Sequence, residues 1–219
     1  MWQALGVSTP SYAQLFENNR RWVADELGRD PEHFERLAAG QHPRYLFIGC
    51  SDSRVNANEM VGVRSGEMFI HRNIANLVVH TDMNLMSVLQ FAVEVLEVEH
   101  VIVCGHYGCG GIASAIDGNY HGLIDNWLRN IKDVYRLHQQ EVDALPTPEA
   151  RVDRMVELNV IEQVYDLAKT TVVQRAWKGR NGPHLHGWVY RLSDGIIRPI
   201  VEREPGSHIE DIYRFDFDD

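Results

Sequence analysis

Two short apolar runs constrain this chain more than any other feature, because each ends in a polar stretch that carries cysteine. Tyr45-Leu46-Phe47-Ile48-Gly49 opens into Cys50-Ser51-Asp52-Ser53-Arg54. Val101-Ile102-Val103-Cys104-Gly105 opens into His106-Tyr107-Gly108-Cys109-Gly110-Gly111. Their length and their aromatic and β-branched content read as buried strands. Open parallel sheets place ligand sites just beyond the carboxyl ends of such strands. Side chains alternate along extended backbone, so continued extension would turn Cys50, Asp52 and Arg54 to one side.

Together the two stretches offer two thiolates and an imidazole, a donor set that suits zinc. A cysteine can equally be a small buried hydrophobe. Cys104, inside its apolar run, takes that reading; Cys50 and Cys109, past the run ends and beside polar residues, take the ligand reading. Structural zinc is normally closed by four Cys or His ligands. Only Cys50, His106 and Cys109 stand near strand ends, which leaves the fourth place to water or a carboxylate. Asp52 is that carboxylate by position. Arg54 competes for it, because a bidentate Asp–Arg pair holds the carboxylate off a metal. The bland alternative for the pair is a plain structural salt bridge.

The remaining chain alternates helix and strand signals. Thr9-Pro10 predicts a helix start, with an apolar face from Tyr12 to Leu27 and an end at Gly28; Asp30-Pro31 predicts a second helix closed by Gly40. Strands are expected at 44–49, 67–72, 100–104 and 185–192, with a Ser193-Asp194-Gly195 turn into a last strand at 196–201. Helices are expected near 58–61, from a Thr81-Asp82 cap to about Val98, from the glycine-rich turn through Ile116, over 123–140, and from Thr147-Pro148 along the stripe Val152, Val156, Val160, Val164 and Leu167. Strands separated by helices argue a mostly parallel α/β sheet of about four parallel strands plus an edge strand, with helices on both faces. No repeat or composition shift marks a second domain. His184 and His186 alternate on a predicted strand as a two-histidine face. No third ligand is apparent, so they read as exposed or hydrogen-bonded structural histidines.

Composition removes several function classes. The net charge of −10 argues against nucleic acid as a partner. No apolar run reaches membrane-spanning length. Three cysteines do not suggest a disulfide framework. With no secretory signal visible, a cytoplasmic location is expected, with a processed organellar form as the alternative.

C-S-D-S-R at 50–54, H-R-N-I-A-N at 71–76 and H-Y-G-C-G-G at 106–111 resemble the β-class carbonic anhydrases in order and spacing, and H-G-W-V-Y at 186–190 fits them as well. The likeness runs from about Gln14 to Leu192. It implies a single domain over 1–219, whose 1–40 helical arm packs on a partner subunit in a homodimer or homotetramer. It also implies zinc-dependent reversible hydration of carbon dioxide to bicarbonate and a proton, by a zinc-bound hydroxide assisted by Asp52 and Arg54. Gly110 offers a backbone N–H at a helix start to the developing oxyanion. By resemblance, Gln41, Phe69 and Phe91 line the substrate pocket; Phe91 stands where many relatives carry tyrosine. Some relatives switch off at low pH, when the aspartate leaves its arginine and becomes a fourth zinc ligand. They also hold a regulatory bicarbonate among a tryptophan, an arginine and a tyrosine. Arg72 and Tyr190 match two of these, whereas Phe47 lacks the indole donor, so the effector site is expected to be weakened. Competing readings are a carbonyl sulfide or carbon disulfide hydrolase on the same scaffold, or a non-catalytic zinc or thiol protein. His71, His80 and His121 are candidate proton shuttles.

Overall fold

The computed structural model describes residues 9–217. The chain divides into two compact units, one ending at Gln41 and the other beginning at His42. The first holds α1 (Tyr12–Arg29) and α2 (His33–Ala39). Its cap is Ser11 rather than Thr9. The Ser11 hydroxyl accepts from the Gln14 N–H while the Gln14 side chain accepts from the Ser11 N–H, a capping box. Gly28 does not end α1, which runs to Arg29 and stops at extended Asp30, the residue before a proline. No side chain of α1 is buried, and Tyr12, Leu15, Phe16, Trp22 and Leu27 are all exposed.

The second unit is built on a five-stranded sheet in the order β2-β1-β3-β4-β5. The strands are β1 (Tyr45–Cys50), β2 (Met68–Asn73), β3 (His100–His106), β4 (His184–Arg191) and β5 (Ile196–Arg203). The first four are mutually parallel and β5 is antiparallel to β4. The chain moves outward from β1 to β2, then returns past β1 to β3. That reversal opens a crevice at the carboxyl ends of β1 and β3, where Cys50 and His106 stand. β3 extends two residues beyond its predicted end. His106 stays in register with Tyr190, and the Tyr107 N–H donates to the Tyr190 carbonyl.

The two faces are covered unequally. On one, Leu46, Ile48, Val101, Val103, Leu185 and Val189 pack under α4 (Met83–Gln90), α6 (Asp125–Asp143) and α7 (Pro148–Ala168). α7 approaches closely because two glycines face it. A Cβ on Gly105 would lie 2.7 Å from Val160, and one on Gly187 would lie 2.8 Å from the same residue. On the other face, Phe47, Met68, Ile102 and Cys104 form a smaller cluster with Tyr45, Trp188 and Tyr190. Among the described residues of this unit, α3 (Ala57–Val61) is the helix that joins it.

Two helical segments depart from the reading of the sequence. The helix capped by Asp82 is α-helical only to Gln90; Phe91–Val95 is a π-helical turn, with the Leu96 N–H reaching back to the Phe91 carbonyl. The apolar spacing through Leu96 conceals this change of winding. α8 (Thr171–Arg180) was not anticipated, because Thr171-Val172-Val173 is a β-branched run of low helix propensity. The Thr170 hydroxyl accepts from the Val173 N–H, and Val173 is fully buried, so cap and packing override propensity.

Candidate metal centre

Cys50 is the last residue of β1, His106 the last of β3, and Cys109 the N-cap of α5 (Gly110–Ile116). Between His106 and Cys109 the chain turns through Gly108, whose φ of +68° suits glycine. Ligand atoms of the three residues lie within 4.8 Å of one another, and all three are buried. The two sulfurs are 3.9 Å apart.

The His106 ring is fixed by its neighbour. Nδ1 lies 3.1 Å from the Tyr107 carbonyl, which can only accept, so Nδ1 carries the proton and Nε2 presents a lone pair. That Nε2 is buried and has no hydrogen-bond partner among the described residues. Two thiols and an unsatisfied imidazole lone pair converging in a buried pocket fit a soft-ligated dication. Sulfur electrostatics agree. Cys50 is pushed down to about 4, first by the hydrogen bond from Cys109, with help from His106 and the Ala75 N–H against the opposing effect of burial. Cys109 is pushed up by the same pairing and by burial, since two sulfurs this close resist a second ionisation. A dication between them removes that penalty.

Asp52 sits at the mouth with its side chain 17% exposed, and its Oδ2 is 3.7 Å from His106 Nε2. Arg54 grips it in fork geometry, with Nε to Oδ1 at 2.9 Å, Nη2 to Oδ2 at 2.6 Å and the backbone N–H to Oδ1 at 3.0 Å. The Arg54 guanidinium holds the carboxyl below the usual carboxylate range, more strongly than burial raises it. Arg72 supports the backbone beneath the pair. It donates from Nε and Nη2 to the Cys50 carbonyl and from Nη2 to the Asp52 carbonyl, at 3.0, 2.6 and 2.8 Å.

A second support was illegible in the sequence. Ala75 and Asn76, both buried and neither a glycine, adopt φ of +64° and +50°. This strained turn aims the Ala75 N–H at Cys50 Sγ, 3.4 Å away. α7 clamps it. Asn159 donates to the Ala75 carbonyl at 3.1 Å, Gln163 accepts from the Val78 N–H at 2.6 Å, and Gln163 donates to Asn159 at 3.3 Å. The H-R-N-I-A-N motif was the only sequence signal of this turn. Its partners lie more than eighty residues away.

Other candidates are placed as follows. Phe69 and Phe91 form a tilted pair with ring centroids 5.9 Å apart. Gly110 is the exposed first residue of α5. Gln41 is exposed and is the last residue of the first unit. Phe47 is fully buried in the smaller cluster, against which Tyr190 packs. Cys104 belongs to that cluster too, fully buried, its thiol pushed up to about 12 by burial. His71 is buried 3.3 Å from Asn73, His80 bonds the Asp166 carbonyl at 2.8 Å, and His121 pairs with Asp117 at 3.0 Å. None of the three is hydrogen-bonded to the Cys50, His106 and Cys109 group.

The chain as a whole is similar to known proteins. Residues 45–197 match a family model described as carbonic anhydrase. A carbonic anhydrase of Emericella nidulans is 50% identical over 205 residues, spanning 93% of this chain and 90% of its own. A carbonic anhydrase of Candida albicans is 33% identical over 94% of this chain and 74% of its own. Among solved structures, a tetrameric β-carbonic anhydrase of Sordaria macrospora superposes with a TM-score of 0.84 at 36% identity, over 88% of this chain and 98% of its own. The β-carbonic anhydrase CafA of Aspergillus fumigatus gives 0.83 at 36% identity, over 86% and 90%.

Proposed function

The chain belongs to the β-class carbonic anhydrases, which are lyases, and on that premise we propose that it interconverts carbon dioxide and bicarbonate with a zinc ion held by Cys50, His106 and Cys109. The observation that carries this reading is the orphaned Nε2 of His106, facing two sulfurs with the Asp52 carboxylate alongside. Zinc in such a site supplies a Lewis acid that lowers the pKa of coordinated water.

The protein's own groups supply the rest. Asp52 Oδ2 is an ionised acceptor beside the donor cluster, able to take a hydrogen bond from the attacking water and turn its lone pair toward carbon dioxide. Arg54 keeps that carboxylate ionised and oriented, and Arg72 holds the backbone from which it projects. The Gly110 N–H is free to meet the oxygen on which charge develops. Phe69 and Phe91 make an apolar pair suited to carbon dioxide, although Phe69 stands opposite Leu46, four residues before Cys50 on β1.

Regulation and assembly complete the reading. By resemblance to relatives that switch off at low pH, Asp52 is the carboxylate that would fill the fourth position if its pairing with Arg54 were broken. A regulatory bicarbonate at Arg72 and Tyr190 is weak, because Phe47 offers no donor and two Arg72 nitrogens are committed to carbonyls. The subunits form a homodimer or homotetramer through the arm α1. Its exposed apolar face supports this, as does the tetramer described for the Sordaria macrospora relative. The enzyme works in the cytoplasm.

The test is stopped-flow hydration of carbon dioxide by the zinc-loaded protein, with carbonyl sulfide and carbon disulfide assayed in parallel. Turnover of carbon dioxide that falls in Asp52→Asn while zinc content stays constant supports the proposal. Turnover confined to a sulfur analogue would overturn the substrate assignment.

A further inference from the structure

The face of the sheet that carries little helical cover holds a cluster of three histidines. His100 and His184 are the first residues of β3 and β4 and pair in register; His186 lies two residues further along β4. All three point to the side of Tyr45, Ile102 and Trp188. His100 Nδ1 is 3.0 Å from His186 Nε2, and the His184 ring centroid is 5.7 Å from that of His100. His106 stands at the opposite end of β3, roughly 20 Å away at the rise of a strand.

Further observations separate this cluster from ordinary surface histidines. Glu202 Oε1 lies 3.5 Å from His186 Nδ1, so a carboxylate draws the proton to Nδ1 and leaves Nε2 as a lone pair facing His100. Glu204 stands 4.0 Å from His184 Nδ1, near enough to add negative charge but beyond hydrogen-bond distance. Tyr45 stacks on His100 at 5.5 Å, fixing its ring plane. Burial and the two neighbouring imidazoles push His100 down, which keeps it neutral and able to ligate. Arg44, the nearest cation along the chain, is engaged by Glu99 at 2.6 Å.

We propose that His100, His184 and His186 form a second divalent-metal site, of the zinc, copper and nickel class, at the end of the sheet remote from Cys50, His106 and Cys109. Two nitrogens on one tetrahedral zinc stand about 3.3 Å apart, given zinc–nitrogen bonds of about 2.0–2.1 Å. The His100–His186 nitrogens therefore need to separate by only a few tenths of an ångström, with both rings turning to aim their lone pairs at the metal. A cation replaces the single hydrogen bond between them, and the His100 proton moves to Nε2. The His184 side chain is 43% exposed, so its ring can turn to supply the third nitrogen, with water completing the shell. Imidazole donors select these metals over magnesium or calcium. The site is independent of the catalytic reading, since no residue is shared.

The test uses untagged, zinc-loaded protein titrated calorimetrically with Zn²⁺. One further equivalent per chain is expected, with a dissociation constant of micromolar order. His100→Ala/His186→Ala is expected to abolish it. His184→Ala and Glu202→Gln, on more exposed side chains that leave the fold intact, are each expected to weaken it by about tenfold or more. Cu²⁺ bound there should show nitrogen hyperfine coupling in its electron paramagnetic resonance spectrum. Carbon dioxide hydration by all variants should match wild type. The proposal is overturned if the wild type takes up no second equivalent at about 1 mM Zn²⁺, a concentration that detects even weak binding. Undiminished affinity in the double variant or in His184→Ala also overturns it.

Discussion

His106 Nε2 stands 3.7 Å from Asp52 Oδ2, and the two are not an ion pair. The His106 proton is on Nδ1, directed to the Tyr107 carbonyl, and Asp52 already accepts three hydrogen bonds from Arg54. A lone pair and a carboxylate are left facing each other with Cys50 and Cys109 beside them. That arrangement is costly in a buried site unless a cation joins the group.

Metal content should follow this geometry. Wild type is expected to carry one tightly held zinc per chain that Cys50→Ser or Cys109→Ser removes. Cys104→Ser should retain it, since Cys104 lies in the cluster on the other face of the sheet. Its cost should appear in stability instead, about 1–3 kcal/mol for burying a hydroxyl among apolar neighbours, where the Cys104 thiol has only the Gly105 carbonyl as an acceptor at 3.5 Å. Elemental analysis and thermal melts distinguish the outcomes; loss of zinc in Cys104→Ser would refute the ligand set.

Asp52→Asn is expected to lower kcat by about 10²–10⁴, the usual range for a lost proton acceptor, with zinc retained. The pH dependence has a defined sign. Arg54 depresses the Asp52 value in the folded protein. Its stabilising contribution is therefore complete above the ordinary carboxylate range near pH ~4 and is lost as pH falls through the lower folded value. Acid unfolding of wild type and Asp52→Asn, followed by circular dichroism, should converge at the acid end and separate above it. A constant difference across that window would be the contrary result.

The pH–rate profile should rise toward alkaline pH. Two thiolates would cancel both charges of a zinc held at this site, so water coordinated there should be a weaker acid than on a three-histidine zinc, where it ionises near pH ~7. Stopped-flow measurements should place the midpoint of kcat above neutrality. Full activity well below pH ~7 would show that the charge argument fails.

Removing the clamp on the strained turn should loosen the metal. Asn159→Ala or Gln163→Ala leaves a buried carbonyl or N–H without its partner, at a cost of about 1–3 kcal/mol, and frees the Ala75 N–H from Cys50. Gly111→Ala should act similarly, because its Cβ would lie 2.8 Å from Ile74 and 3.3 Å from Ala75. Faster zinc transfer to a chromogenic chelator, alongside a lowered Tm, is expected. A lowered Tm with an unchanged transfer rate would assign these residues to the fold alone.

Local patterns made much of the fold legible. Apolar runs marked β1 and β3, a Thr147-Pro148 start marked α7, and polar residues at the run ends marked the buried Cys50, His106 and Cys109 group. The capping box at Ser11 was legible in principle, but Thr9-Pro10 is an equally good signal two residues earlier. The unequal covering of the sheet was not legible. Helix periodicity gives the buried face of each helix, not which side of the sheet receives it.

The amino-acid sequence by itself determined the donor atoms and their place at strand ends, because a strand's apolar run and its polar exit are neighbours along the chain. Only the tertiary structure decided what those donors meet. β3 lies beside both β1 and β4, which puts Cys50 against Cys109 and His100 against His186. Asn159 and Gln163 reach Ala75 across more than eighty residues. Such contacts depend on strand order, register and rotamer, which are set by packing the whole core at once rather than by any local window.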